Sequence, residues 1–379
     1  MLRLIFTLLS CLTATIPVLA AEWPTVATTA REAILIDYET GAVLFEKNAD
    51  ESMPPASMSK LMTAALILER LKDGRLTMED TLPISEKAWR KGGSKMFVEV
   101  GKRVSISDLL RGIIVQSGND ACIVVAEGLA GSEEAFAEMM TDKARQLGMT
   151  RSTFTNATGW PDPNHRMTAR ELSNLAHYII REFPEYYNMY SEKEFTFSGI
   201  RQGNRNPLLY RSSGADGLKT GHTRESGYGL TASAIRNGRR LILVVNGLSS
   251  LKARAEESER ILDWGFRAFQ NYLVAKRGEV VTEVPVWQGT QAAVAVTADQ
   301  DIILTLPRSE NATGIGAKVI YESPMHAPIS AGAPIARLIV HTSGQPLEEI
   351  ALQAAHDVDR LGPIGRIQSV LQFLALGAK

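Results

Sequence analysis

The chain has 379 residues, a formal charge of −1, 45% hydrophobic residues and 22% charged residues. This is globular composition, long enough for two domains with sizeable cores. The balanced charge, with no block of Lys or Arg, speaks against nucleic acid as a partner.

The N-terminus reads as a targeting segment. Arg3 is the only charge ahead of the apolar run Leu4 to Leu19, and Val18-Leu19-Ala20 offers a small-residue cleavage site. Residues 1–21 are therefore expected to be a signal peptide outside the fold. A lipoprotein reading through Leu8-Leu9-Ser10-Cys11 leaves too short an apolar region before Cys11. With Cys11 removed, Cys122 is the only cysteine of the mature chain, so an internal disulfide is not possible. The histidines (His165, His177, His222, His326, His341, His356) form no H-E-x-x-H or H-x-H pattern. No metal and no other cofactor is expected. Asn156-Ala157-Thr158 and Asn311-Ala312-Thr313 match the glycosylation sequon, which carries meaning only in a eukaryotic source.

Ala33-Ile34-Leu35-Ile36-Asp37 reads as a strand, Glu39-Thr40-Gly41 as a turn and Ala42 to Glu46 as the returning strand. Leu61, Met62, Ala65, Leu66 and Leu68 then recur at helical spacing, which predicts a buried helix beginning near Ser57. Residues i and i+3 share a helix face, so Lys60 would lie beside the Ser57 hydroxyl. A serine needs an adjacent base to become a nucleophile, and a desolvated lysine can be one. The S-x-x-K pattern alone is common; Ser249 and Lys252 repeat it.

Residues 73–106 are turn-rich and broken by Gly92-Gly93-Ser94. Ser107-Asp108 reads as the start of a helix over Leu109 to about Val115, interrupted by Ser117-Gly118-Asn119. A second helical run covers Asp120 to Leu129 and ends at Gly131. Helices are also predicted over 133–147, 169–180 and 254–272, with a loop at Phe154 to Trp160 and a buried strand at Arg240 to Asn246. Cys122, Met58, Met62 and Met96, with Trp160, Trp264 and Trp287, read as packing residues, and Asp216 and Gly217 as shaping the strand that follows them. Beyond residue 276 the texture changes to short strands, among them Val280 to Trp287, Asp301 to Leu306 and Arg337 to His341. A small all-β domain is expected over 277–356.

In the tail, 357–379, the residues Ile367, Val370, Leu371 and Leu374 recur at helical spacing with polar residues opposite. The stretch is too short to span a bilayer. It suits a helix lying on a membrane surface or docked on its own domain, and the positive charge of Arg366 and Lys379 favours the membrane.

Three motifs come in order: Ser57-x-x-Lys60, Ser117-Gly118-Asn119 and Lys219-Thr220-Gly221. The set S-x-x-K, S-x-N and K-T-G belongs to β-lactamases and penicillin-binding proteins. The flanks Ile34 to Tyr38, Pro55 to Thr63, Gln116 to Cys122, Asn204-Arg205-Asn206, Asp216 to Thr223 and Trp264-Gly265-Phe266 sharpen the match. The chain resembles the low-molecular-mass penicillin-binding proteins that act as D-alanyl-D-alanine carboxypeptidases. The resemblance covers nearly the whole mature chain and is strongest over 22–276. It implies an α/β (α+β) transpeptidase-like catalytic domain, an antiparallel sheet flanked by helices, ahead of the β domain.

The resemblance also implies roles. Ser57 attacks the carbonyl of the penultimate D-alanine of a peptidoglycan stem peptide, and Lys60 takes its proton. Ser117 relays a proton to the leaving amine, and Asn119 holds the peptide amide and orders Lys60. Lys219 supplies positive charge. Thr220, within the Lys219-Thr220-Gly221 strand, binds the substrate carboxylate with Arg254 as a second clamp. Backbone amides of Ser57 and His222 form the oxyanion hole, with the His222 side chain secondary. β-Lactams are expected to acylate the same serine, and the setting implied is the periplasmic face of the inner membrane. A β-lactamase is an alternative, but Glu171 is the sole glutamate over 155–175 and lies within a predicted helix. A D,D-endopeptidase would share the motifs, though those enzymes commonly lack the β domain and tail. A non-catalytic wall-binding protein would have lost a motif residue, and none is lost.

Overall fold

The structure, a computed structural model, describes residues 24–211, 214–308, 316–323, 325–341 and 348–376. The expected signal peptide with Cys11, the second sequon at Asn311 and the terminal Lys379 lie outside the described residues.

The chain divides into two compact units. The larger, Thr25–Val274 with Ile303–Arg308, is built on a five-stranded sheet. Its strands are Glu32–Asp37 (β1), Val43–Lys47 (β2), Ala215–Thr223 (β3), Gly227–Arg236 (β4) and Arg239–Leu248 (β5), in the order β2-β1-β5-β4-β3. Every adjacent pair is antiparallel. Leu241, Ile242, Leu243, Val244 and Val245 are all fully buried, so β5 is covered on both faces. One set of alternating residues, Ile34, Ile36, Ile242 and Val244, joins the main helical core.

That core is formed by Lys60–Lys72 (α1), Ile106–Ile114 (α2), Asn119–Ala130 (α3), Glu133–Gln146 (α4) and Ala169–Glu182 (α5). From Lys60 to Leu68 every residue of α1 is buried, the pattern of a helix wrapped by others. Side-chain caps set the starts of three of them: Ser105 accepts from the Asp108 amide, Ser132 from Ala135 and Thr168 from Glu171. Sequence placed the first of these starts at Ser107-Asp108. It lies at Ser105, because Arg103–Ser105 pairs with Thr81–Pro83 as a short ladder that runs directly into the helix.

Leu251–Ala268 (α6) packs against β1, β4 and β5. The Ser250 hydroxyl caps it, and Lys252 has an 83% exposed side chain, so the second S-x-x-K copy is a helix start on the surface. The predicted helix over 254–272 stops at Ala268. From Phe269 the chain is a strand, Phe269–Ala275 (β6), paired with Ile302–Pro307. Phe269 is fully buried with its ring 5.3 Å from Trp264, so tertiary pairing overrides the helical spacing. Residues Ile303–Arg308, read in sequence as part of the β domain, thereby belong to the larger unit.

The smaller unit holds a six-stranded sheet that includes Val280–Trp287, Ala293–Thr297, Pro334–His341 and Glu348–Ala354. Val284, Val294, Val296, Leu338 and Leu352 form its buried side. The chain closes with Pro363–Leu376 (α7). Its apolar residues Ile364, Ile367 and Leu371 are 83%, 64% and 61% exposed. No helix among the described residues is long and apolar enough to cross a membrane.

Candidate active site

The site forms where α1, the α2–α3 junction, the loop before α5 and strand β3 converge. Ala56–Ser59 is a single 3₁₀ turn that runs straight into α1, with Ala56 at φ +48°. Left-handed backbone at a residue with a side chain is strained, and such strain collects at functional sites. The turn leaves Ser57 half-exposed while Lys60 is completely buried. Strand β3 lies against it. A Cβ at Gly221 would come 2.7 Å from the Pro55 carbonyl oxygen, so only glycine permits this approach.

Lys60 Nζ stands 2.8 Å from Ser57 Oγ, 2.8 Å from Asn119 Oδ1 and 2.5 Å from the Thr158 carbonyl oxygen. The last two can only accept. A neutral amine has two N–H groups for them and one lone pair, which then faces the Ser57 hydroxyl. Burial pushes the Lys60 ammonium down from 10.5 to about 8, in the direction this arrangement requires. Asn119 is itself fixed: its Nδ2 donates to the Gly92 carbonyl at 2.8 Å and its amide to Ser94 at 2.7 Å.

Ser117, at φ +63°, has a buried hydroxyl without a hydrogen-bond partner. It borders the cleft, so it is placed to bond something arriving there. Lys219 is buried, and its Nζ donates only to the Thr220 carbonyl at 3.2 Å. Burial first, then the nearby Lys60, push Lys219 well below its ordinary value. Arg254 is 5% exposed on α6. Its Nη2 donates to the Arg205 carbonyl at 3.3 Å, its guanidinium lies 5.9 Å from the Tyr228 ring, and its Nε has no partner. Burial brings it down to about 10, still charged at neutral pH. His222 stacks on Tyr228 at 3.9 Å, and burial followed by the Arg254 charge lowers it.

A cleft of about 530 Å³ gathers these groups. Ser57, Ser117, Thr220, Gly221, His222 and Arg254 line it, with Lys60, Asn119 and Lys219 buried. It also takes in Ser94, Arg205 and Tyr228, to which sequence reasoning gave no role. Arg205 Nη1 donates to Ser94 Oγ at 2.6 Å. The signal for Arg205 was present in Asn204-Arg205-Asn206; nothing local marks Tyr228, which β4 carries opposite His222. Besides Lys219, the cleft carries the guanidinium groups of Arg205 and Arg254 at its rim.

Other residues lie apart from the chemistry. Cys122 is a buried free thiol pushed up to about 12 by burial, which leaves it un-nucleophilic. Glu171 accepts from the Arg151 amide at 2.8 Å and from Ser152 Oγ at 2.5 Å, and it does not line the cleft. Asp216 pairs with Arg240 at 2.7 Å at the start of β3. Trp160 packs its ring over Gly92 and Gly93. It is 46% exposed, with the Lys91 ammonium 5.2 Å from its ring.

The profile of D-alanyl-D-alanine carboxypeptidases matches residues 18–250. The chain belongs to this family. The profile of the C-terminal domain of penicillin-binding protein 5 matches residues 269–360. The carboxypeptidase DacA of Haemophilus influenzae is 37% identical over 354 residues, 92% of this chain and 90% of that protein. DacC of Escherichia coli is 38% identical over 345 residues, 89% of this chain and 86% of that protein. Among solved structures, penicillin-binding protein 5 from Haemophilus influenzae superposes with a TM-score of 0.83 at 36% identity, covering 89% of this chain and 99% of that one. Penicillin-Binding Protein D2 from Listeria monocytogenes, solved in its ampicillin-bound form, gives a TM-score of 0.59 at 32% identity, covering 64% and 99%. The fold is thus that of a penicillin-binding protein catalytic domain followed by an all-β domain, and the enzyme class is serine-type carboxypeptidase.

Proposed function

We propose that this carboxypeptidase removes the terminal D-alanine of peptidoglycan stem peptides through an acyl-enzyme on Ser57. The observation that carries the reading is the Lys60 amine, buried and 2.8 Å from Ser57 Oγ, with fixed acceptors for its two N–H groups. Lys60 takes the hydroxyl proton as Ser57 Oγ bonds to the carbonyl carbon of the penultimate D-alanine. The amides of Ser57 and His222 receive the oxyanion. Ser117, whose hydroxyl is otherwise unpartnered, passes a proton to the leaving D-alanine nitrogen as the C–N bond breaks. Asn119 holds the peptide amide. Thr220, Arg254 and the rim guanidinium of Arg205 hold the terminal carboxylate, whose charge also favours the ammonium form of Lys219. Water then hydrolyses the ester. β-Lactams acylate the same serine; a relative of this chain has been solved in an ampicillin-bound form.

The test is D-alanine release from an acylated peptide ending in Lys-D-Ala-D-Ala, run beside the Ser57→Ala protein. Release is expected from the parent and from neither the variant nor a C-terminally amidated peptide. Penicillin bound covalently by the parent without any D-alanine release would point instead to endopeptidase action on cross-linked wall.

The tail supports a location at the outer face of the inner membrane. Ile364, Ile367 and Leu371 present an exposed apolar stripe on α7. The full chain is expected to co-sediment with anionic phospholipid vesicles, and the Ile367→Asp, Leu371→Asp protein to stay in the supernatant. Equal sedimentation of both would remove the helix from the anchor.

A further inference from the structure

The Asn156-Ala157-Thr158 triplet, which the sequence offers only as a sequon, is used inside the fold. Asn156 Oδ1 accepts from the Thr158 amide at 3.1 Å, the Thr158 hydroxyl at 2.9 Å and the Trp160 amide at 3.0 Å. Its Nδ2 donates to the Trp160 carbonyl at 3.1 Å and to Thr155 Oγ1 at 3.3 Å. Two of the donors to Oδ1 are backbone N–H groups, so the orientation of this side-chain amide is fixed by its partners. The turn so closed carries the Thr158 carbonyl that meets Lys60 Nζ at 2.5 Å, and the Ala157 carbonyl that takes the Thr63 hydroxyl at 2.7 Å. Gly159 completes it at φ +74°, where a Cβ would stand 2.0 Å from the Ala56 carbonyl oxygen. The loop is therefore clamped on α1 and on the Ser57 turn together.

We infer that Asn156 is a positioning residue for acylation: by closing this turn it holds the Thr158 carbonyl on one N–H of Lys60, so that the amine lone pair faces Ser57. The inference rests on the reading of Lys60 as the base. With acceptors fixed at Asn119 and Thr158, the third direction of the amine is fixed too. With the Thr158 carbonyl loose, the amine can turn away from the hydroxyl. Misplacing a catalytic group by about 1 Å costs up to about a hundredfold in rate.

Charged and titratable groups face Lys60 from each neighbouring element: Cys122 and Asp120 on α3, Lys91 after the short helix Glu86–Arg90, His165 on the loop before α5, Arg205 from the cleft rim and Lys219 on β3. Asn156 adds no charge to this set. An aspartate there keeps an acceptor for the same three donors and adds one negative charge, which favours the ammonium form of Lys60.

The experiment measures the rate of covalent labelling by a fluorescent penicillin as a function of pH, in the mature full chain and in Asn156→Ala, Asn156→Asp and Lys60→Ala. Asn156→Ala is expected to label about tenfold to a hundredfold more slowly. Asn156→Asp, which loses the Nδ2 donor to the Trp160 carbonyl and adds a charge, should move its pH profile up by about one unit. That shift follows from the added charge alone, so the positioning role is read from the Asn156→Ala rate on the alkaline plateau, with the thermal midpoint measured alongside to show that the fold is kept. If Asn156→Ala does not fold, Asn156→Gln, whose amide sits one methylene further out and cannot close the same turn, carries the test. Parental plateau labelling by Asn156→Ala, or by Asn156→Gln where the alanine variant does not fold, overturns the inference. Labelling that survives in Lys60→Ala overturns the underlying reading of the base, whatever Asn156 does.

Discussion

Replacing Lys60 with alanine is expected to slow acylation of Ser57 by penicillin about a thousandfold, the scale of a lost general base, while the protein stays folded. The side chain is wholly buried and makes no ion pair, so its removal deletes a desolvated amine and leaves no opposite charge stranded. The same amine sets the pH dependence of the parent enzyme. Burial disfavours the charged form and brings the group from 10.5 down to about 8. Only the neutral form accepts the serine proton, so acylation should rise with pH and level off above about 8. It falls as the solution is acidified below that value. Rates of fluorescent-penicillin labelling from neutral to alkaline pH, on the parent and the variant, check both parts. A flat profile, or a variant as fast as the parent, would mean that another group takes the proton.

The second large effect is expected at Asp120, which touches no substrate. Its carboxylate is fully buried and accepts from the amides of Met96 at 2.9 Å, Phe97 at 2.9 Å and Val98 at 3.2 Å. Those three donors belong to a loop with Phe97 at φ +70°, a conformation that needs outside support. In Asp120→Ala all three amides lose their acceptor. At about 1–3 kcal/mol for each orphaned buried donor, those of Met96 and Val98, a loss of about 2–6 kcal/mol is expected, a large part of the stability of an ordinary domain. Acylation should fall with it, because the same loop presents the Gly92 and Ser94 carbonyls that fix Asn119, and the Ser94 hydroxyl that meets Arg205. Urea denaturation followed by intrinsic fluorescence, with penicillin labelling alongside, measures both. A variant within about 1 kcal/mol of the parent would show that water or loop rearrangement replaces the carboxylate.

The motifs were legible because their chemistry is local. Ser57 and Lys60 need only one turn of helix to meet, and Lys219, Thr220 and Gly221 need only one strand. Tyr228 was not legible, since it enters through the register of β4 against β3, where it lies opposite His222. Asn156 looked like a sequon because its partners, two residues and four residues onward, are mostly backbone groups that every sequence has. The end of α6 was misplaced for a related reason. Phe269–Ala275 is held as a strand by Ile302–Pro307, which lies far along the chain.

The sequence by itself determined the enzyme class, the three motifs in their order, and the division between a mixed α/β part and a β-rich part. Each rests on side-chain chemistry or on periodicities that survive without neighbours. Only the tertiary structure decided which acceptors surround Lys60 and which guanidinium groups reach the cleft rim. A lysine becomes a base by burial and by the acceptors around it, and those come from Asn119 and Thr158, residues distant in the chain. Arg254 and Arg205 meet at the same rim only because a helix and a loop distant in sequence bring them together.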